Sequence, residues 1–430
     1  LILAFSSGAK RSWINSFRFF KYVMTRQGCC AMLYVMTMIA YKFRFYPTSA
    51  QEQALCKMFG AARWAWNTCL AWRSAAYTLD GESVSGMSFS KELTWLKTLE
   101  PFSWLKEIPT VVYNQALRDQ DKAFSAFFAK RARYPKFRRK GGPESIRFQL
   151  NQRTVMSNFR DGELLKLHGL GKIDVCWSRK MGGVPKMVTV RRDASGRYFV
   201  SMTVETVVDP LPQKTNAVGI DVGLKDIVVT SDGMKTGNPR HLRKAEKKLK
   251  RAQRQASRKV KGSNRRKKAV LKVAKLHAKV ADTRADFLHK LSTGLIREYQ
   301  IIAIEDLSIK GMARGRLSRS VADAGLGELR RLLTYKAEWY GRNLVVIDRW
   351  EPTSKVCSEC GHKMDSMPLT VREWTCPECG SDHDRDVNAA RNVLTAAMVG
   401  RTKGSAQSAK ARGVEGSGAV PPVTARNQPR

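Results

Sequence analysis

The chain has 430 residues, 43% of them hydrophobic, enough for two or three domains with a sizeable core. Its 77 Lys and Arg against 37 Asp and Glu leave a net charge of +40. That balance is at odds with an ordinary metabolic enzyme and suits a polyanion held through phosphate contacts and counterion release.

Charge sets the partner class as nucleic acid but not the activity, because a ribosomal or chromatin protein would share it. Of nine cysteines, four form two Cys-x-x-Cys pairs, while Cys29, Cys30, Cys56, Cys69 and Cys176 are scattered. This is no disulfide framework, and it points to a reducing, intracellular compartment. No apolar run reaches membrane-spanning length.

Residues 1–51 contain no acid, and 1–37 mix aromatics, Arg and Lys without a clear period. Basic, acid-poor N-termini occur in transit peptides. This stretch reads better as translated sequence upstream of a start at Met36 or Met38, so 1–37 is set aside as an extension. From 39 to 46 apolar and basic residues alternate, a strand pattern ended by Pro47. Thr48 or Ser49 then caps a helix, with Trp64, Trp66 and Trp72 expected in the core. A second helical block covers roughly 109–131.

Tyr134, Lys136, Phe137, Arg138, Arg139 and Lys140 follow, basic with interleaved aromatics, a composition for stacking on bases while gripping phosphates. A solvated basic loop would look the same. Residues 145–208 give short alternating runs between Gly-rich turns, an all-β block forming a small barrel with the first strand.

A linker containing Pro210 and Pro212 leads to a different grammar. Residues 217–223 form a buried strand that carries Asp221, and 226–230 form its hairpin partner. Residues 240–279 hold 18 Lys and Arg and one acid, Glu246, with an apolar stripe and a break at Gly262-Ser263-Asn264. Uncompensated like charge destabilises a helix unless a polyanion neutralises it. The block therefore reads as a nucleic-acid-binding helical hairpin, with Lys247, Lys250, Arg251 and Arg254 as candidate contacts. Residues 300–306 are a second buried strand, ending in Glu305-Asp306. A mobile loop is expected over 311–324, then a helix over 327–341 and a strand over 343–348. The tail from 401 is low in apolar residues and expected to be disordered.

The spacing Cys357-x2-Cys360, fifteen residues, Cys376-x2-Cys379 is the strongest local signal. Two thiolate knuckles, each followed by Gly, supply a tetrahedral shell with no open position, which is a structural zinc site. A redox pair is the other reading of such a spacing, and two matched pairs weigh against it. His362 and His383 are near, but four thiols complete the shell. Asp221, Glu305 and Asp386 each sit at a strand end or helix start. Converging at a sheet edge, three carboxylates would bind two Mg2+ ions about 4 Å apart. Taken singly, each reads as a cap or turn residue, and spacing does not single them out.

Three segments do: Gly219-Ile220-Asp221-Val222-Gly223, Ile304-Glu305-Asp306-Leu307, and Asp384-Arg385-Asp386-Val387-Asn388 with the following Ala389-Ala390-Arg391-Asn392. In that order, with the paired cysteines before the last, they resemble the split RuvC-type nuclease of TnpB proteins. These are the OrfB products of bacterial insertion sequences, often labelled transposases, and relatives of the type V CRISPR nucleases. The similarity spans most of 38–398, including the Tyr134-Pro135-Lys136-Phe137 block. It implies an α/β, RNase H-like core split in sequence, an OB-like wedge domain, a helical insert and a zinc ribbon.

Mapped on this chain, the wedge domain covers 38–47 and 132–213 and the helical recognition domain 48–131. The nuclease domain covers 214–350, with the basic hairpin at 239–298. The zinc ribbon covers 351–383, the last nuclease segment 384–400 and the tail 401–430. The resemblance further implies an RNA-guided, Mg2+-dependent DNA endonuclease in the bacterial cytoplasm, associated with the nucleoid when bound to DNA. Its partners would be a guide RNA from the transposon end and target DNA, with no membrane or small-molecule substrate. Asp221, Glu305 and Asp386 would be its metal-bridging carboxylates, with Asp384 shaping the turn. A non-catalytic regulator of transposition and a strand-joining transposase are the alternatives.

Overall fold

The computed structural model describes residues 36–141, 144–150, 165–368 and 370–411, with Met36 and 401–411 given as backbone alone. They fall into two compact units: residues up to Asp209 with Lys248–Ala278, and Pro210–Lys247 with Lys279 onward. The expectations for residues 1–35 and 412–430 lie outside the described residues.

The first unit opens with β1 (Met36–Phe45). Met36 and Thr37 already pair with Val207 and Thr206, so the strand starts two residues before the expected boundary at 38. A partner strand long enough to continue the ladder extends it beyond what alternation alone marks. Thr48 caps α1 (Ser49–Asp80) in a reciprocal capping box with Gln51. After α2 (Gly86–Leu96) and a 3-10 turn (Glu100–Glu107) comes α3 (Thr110–Phe128).

The β elements are β2 (Glu144–Gln149), β3 (Leu165–Leu167), β4 (Gly171–Ile173), β5 (Val175–Cys176), β6 (Pro185–Arg192) and β7 (Tyr198–Val207). They form a five-stranded antiparallel sheet, β2-β6-β7-β1-β5, beside the β3–β4 hairpin. In β7 every second side chain is buried from Tyr198 to Thr206, as expected of a sheet with one face on the core. One hydrophobic core joins Phe43, Phe45 and Val200 of the sheet with Leu55, Phe59 and Tyr113 of the helices.

The second unit is built on β8 (Ala217–Asp221), β9 (Asp226–Thr230), β10 (Lys235–Gly237), β11 (Ile301–Glu305) and β12 (Asn343–Ile347), in the order β10-β9-β8-β11-β12. β11 runs parallel to both β8 and β12, so their carboxyl ends share one edge. The basic stretch forms α4 (His241–Ser257) and α5 (Asn264–Glu298). Residues Lys248–Ala278 of this hairpin belong to the first unit, although expected with 214–350. Leu249, Ala252 and Ala256 are buried on α4, and Leu271 lies beside the Gly196 turn. The charge run gave no cue to this grouping.

Part of the expected loop over 311–324 is helical: α6 (Ile309–Met312) is followed by α7 (Ser318–Ala324). Tertiary contacts explain this. Val321 and Ala324 are buried, and both Asp323 oxygens accept backbone N–H groups at the start of α4, from Leu242 and Arg243. α8 (Leu326–Tyr340) precedes β12. The strands β13 (Glu373–Thr375) and β14 (Asp382–Asp384) pair within the cysteine module. The last helix, α9 (Arg385–Ala411), runs past the expected end at 400. Residues 401–411 are rich in Ala, Lys, Gln and Arg, which favour helix, and Gly404 alone costs only about 1 kcal/mol. Among the described residues no helix is long and apolar enough to cross a membrane.

Candidate active site and metal centre

Asp221 ends β8 and Glu305 ends β11, and the register Ile220↔Ile304 makes them neighbours at the shared edge. The third carboxylate comes from α9. A Cβ built on Gly219 would lie 1.9 Å from the Ala390 carbonyl oxygen and 2.7 Å from the Leu394 nitrogen, so the helix backbone rests directly on the strand. From Ala390 back to Asp386 the helix spans about 6 Å, and from Gly219 on to Asp221 the strand spans about 6–7 Å. Strand and helix therefore deliver Asp221 and Asp386 to the same place.

Electrostatics agree with that juxtaposition. Burial, then the Glu305 and Asp386 charges, push the Asp221 carboxyl up from its ordinary 3.8 to about 7. The folded carboxyl thus keeps its proton up to about pH 7, whereas an unfolded one gives it up near 3.8. From this group, metal-free stability falls as pH rises through that window. Asp221→Asn removes the conflict and should raise the melting temperature of the metal-free protein at pH 8 by about 4 °C. Thermal scans at pH 5 and pH 8 should show a clearly larger gain at the higher pH.

The neighbouring acids are already occupied. Asp384 caps α9: its Oδ1 accepts from the Asp386 and Val387 backbone N–H groups at 3.1 and 3.0 Å, and its Oδ2 pairs with Lys235. Asp306 is gripped by Arg330 and Arg349, and Arg330 holds its carboxyl below the ordinary value. That leaves Glu305, steadied by a 2.6 Å bond from the Thr353 hydroxyl to its Oε1, and Asp386, which pairs with the half-exposed Arg372 at 3.3 Å and lies within reach of the Lys235 charge. Nothing in the sequence marks Thr353, which reaches Glu305 only through the fold.

Among the described residues, Cys357, Cys360, Cys376 and Cys379 are the one group of three or more His, Cys, Asp or Glu whose ligand atoms all lie within 4.8 Å. Cys357 and Cys379 sulfurs are 3.7 Å apart, as are those of Cys360 and Cys376. A tetrahedral zinc with bonds of about 2.3 Å requires sulfurs about 3.8 Å apart, so the thiols fit the ion. Each knuckle is closed by a glycine in the left-handed region, Gly361 and Gly380. His383, set aside as a ligand, is buried against Trp374 with its Nε2 3.0 Å from the Cys357 sulfur. It stands where an outer partner would orient that thiolate.

The module is tied to the helix carrying Asp386. Asn388 donates to the Val356 carbonyl at 2.7 Å and accepts from the Ser358 N–H at 2.9 Å. Asn392 donates to the Thr353 and Val356 carbonyls.

The candidate nucleic-acid contacts are of two kinds. Lys247, Lys250, Arg251 and Arg254 are all exposed on α4. In the aromatic run, Phe137 is exposed and Lys136, Arg139 and Lys140 face outward or partly so. Tyr134 instead packs edge-on to Phe124 and Phe127, with its hydroxyl 3.0 Å from that of Ser74. The Arg138 guanidinium lies 3.7 Å over Trp66, and Asn67 bonds both its backbone N–H and its carbonyl. These two residues hold the segment on α1 and α3, and alternation of basic and aromatic residues did not reveal it.

Comparison with known proteins places this arrangement. Family models match over 36–82 (OrfB/IS605 helix-turn-helix domain), 198–316 (OrfB/IS605, described as "Probable transposase") and 327–393 (Cas12f1-like TNB domain). A Streptomyces pristinaespiralis protein, named as a candidate RNA-guided DNA endonuclease, is 46% identical over 364 residues, covering 84% of this chain and 89% of its own. The chain belongs to the TnpB/OrfB family. InsQ of Escherichia coli (strain K12), also named as a candidate RNA-guided DNA endonuclease, is 32% identical, covering 83% of this chain and 92% of its own. In fold, the chain resembles Cas12f1 in its solved complex with guide RNA and target DNA, with a TM-score of 0.50 and 13% identity. That match covers 84% of this chain and 99% of Cas12f1.

Proposed function

We propose that this TnpB/OrfB member is an RNA-guided DNA endonuclease, encoded by a bacterial insertion sequence, that hydrolyses guide-matched DNA beside a short adjacent motif. The observation that carries the proposal is the meeting of Asp221, Glu305 and Asp386, from three distant segments, at one sheet edge of a chain with net charge +40. An all-oxygen donor set suits Mg2+. Bound there, two such ions would activate a water molecule and stabilise the leaving oxygen of the phosphodiester. The protein's part is positional: the sheet holds Asp221 and Glu305, the capped first turn of α9 holds Asp386, and Thr353 steadies Glu305. The names of the Streptomyces and Escherichia relatives support the guided reading. So does the guide RNA and target DNA in the Cas12f1 complex. In such a system base pairing reads sequence, while basic surfaces such as α4 grip the backbone.

Sequencing of RNA that copurifies with the protein should return one abundant species. DNA matching it should be cut with Mg2+, and Asp386→Ala should slow cleavage by at least about 10³-fold while the RNA is retained. Random or absent RNA would sink the guided claim. The family's "Probable transposase" description favours a second reading, strand joining, which strand transfer by the purified protein without RNA would support.

A further inference from the structure

Trp350 is 85% exposed, the most exposed of the large hydrophobic side chains among the described residues. An indole left in water is costly, and this one is not on a loose end. On one side, Arg349 donates through Nε to the Asp306 carbonyl at 2.9 Å and through Nη2 to Asp306 Oδ2 at 2.7 Å. On the other, the Thr353 hydroxyl donates to Glu305 Oε1 at 2.6 Å, and Thr353 itself is buried. Between them the Trp350 backbone N–H donates to Asp348 Oδ1 at 2.8 Å. The segment 349–353 is thus a strap tied at both ends to the consecutive acids Glu305 and Asp306, with the indole at its outer turn.

Its distance from the candidate metal site is bounded by the chain. Ile347 pairs with Glu305, and three residues reach no more than about 11 Å. Arg349 beside the indole and Arg330, which share Asp306, keep side chains 45% and 37% exposed, while the exposed acids Asp348 and Glu351 flank the indole in sequence. An exposed aromatic face on a strap tied to Glu305 and Asp306, a few nucleotides at most from the proposed phosphodiester-cleaving centre, matches the face of an unpaired base. A paired base inside a duplex has no free face to offer it.

We propose that Trp350 is a strand-positioning residue that stacks a base of the single-stranded DNA segment next to the bond being cut. The inference rests on the nuclease reading above, and its test has one arm that does not need cleavage. In that arm, a single strand carrying 2-aminopurine is titrated with the guide-loaded protein without added Mg2+. Stacking on Trp350 quenches the probe, and Trp350→Ala should remove the quenching where Trp350→Phe keeps most of it. In the cleavage arm, Trp350→Ala should raise KM by about tenfold with kcat less affected, and Trp350→Phe should restore it. An abasic site within three nucleotides of the cut should cost the wild type the same factor and cost Trp350→Ala nothing further.

Equal quenching by wild type and Trp350→Ala, or additive losses from the abasic site and the substitution, would overturn the proposal. Trp350-dependent quenching without any cleavage by the wild type would keep the stacking surface and sink the nuclease reading instead. Trp350-dependent capture of single-stranded RNA in preference to DNA would overturn the assignment to the cut strand.

Discussion

Gly219→Ala should lower DNA cleavage by about 100-fold or more without touching a single carboxylate. The added methyl would sit 1.9 Å from the Ala390 carbonyl oxygen and 2.9 Å from the Leu394 Cβ, and the helix backbone cannot step aside locally. Helix α9 must instead lift by more than 1 Å or so, carrying Asp386 away from Asp221 and Glu305. Overpacking of this kind costs about 1–3 kcal/mol, and a displacement of about 1 Å at reacting groups can cost about 10²-fold in rate. A matched control is Gly294→Ala in α5, where an added Cβ meets nothing within 4 Å. Relieved of a helix-interior glycine, that variant should gain up to about 1 kcal/mol and cleave normally. Thermal melts and single-turnover cleavage on both proteins check the pair. Wild-type rates for Gly219→Ala would mean that α9 does not set the position of Asp386.

Emptying the four-cysteine site of the zinc that it fits should be as damaging, by a different route. The knuckles present little apolar surface of their own, and structural zinc in comparable small modules contributes about 10–16 kcal/mol of folding free energy. When it goes, the carbonyls and N–H that grip Asn388 and Asn392 lose their frame, and so does the Thr353 hydroxyl on Glu305. Cys376→Ala, or a soft zinc chelator with Mg2+ in excess, should therefore lower cleavage by at least about 100-fold. Hydrogen exchange should rise over 353–384 and the first turn of α9 but not over β8 and β11. Zinc content near one per chain in the wild type, and full cleavage after its removal, would together show that the module is not needed to hold the site.

Pattern and spacing in the chain were enough for features that are local. The cysteine knuckles, the strands ending at Asp221 and Glu305, the Thr48 cap and the basic hairpin all arise from neighbours in sequence. Hydrogen-bond geometry, side-chain period and charge imbalance operate over a few residues and leave their mark there. The preference for Asp386 over Asp384 rests on resemblance; in the fold Asp384 spends its oxygens on the helix N-terminus and on Lys235. Other features were decided only when distant segments packed. Asp323 acting as a cap for α4, Thr353 bonded to Glu305 and Arg138 lying on Trp66 have no signature along the chain. The candidate centre itself belongs with these. Its carboxylates meet because β8 and β11 pair in register and because Gly219, lacking a side chain, lets α9 lie on the strand.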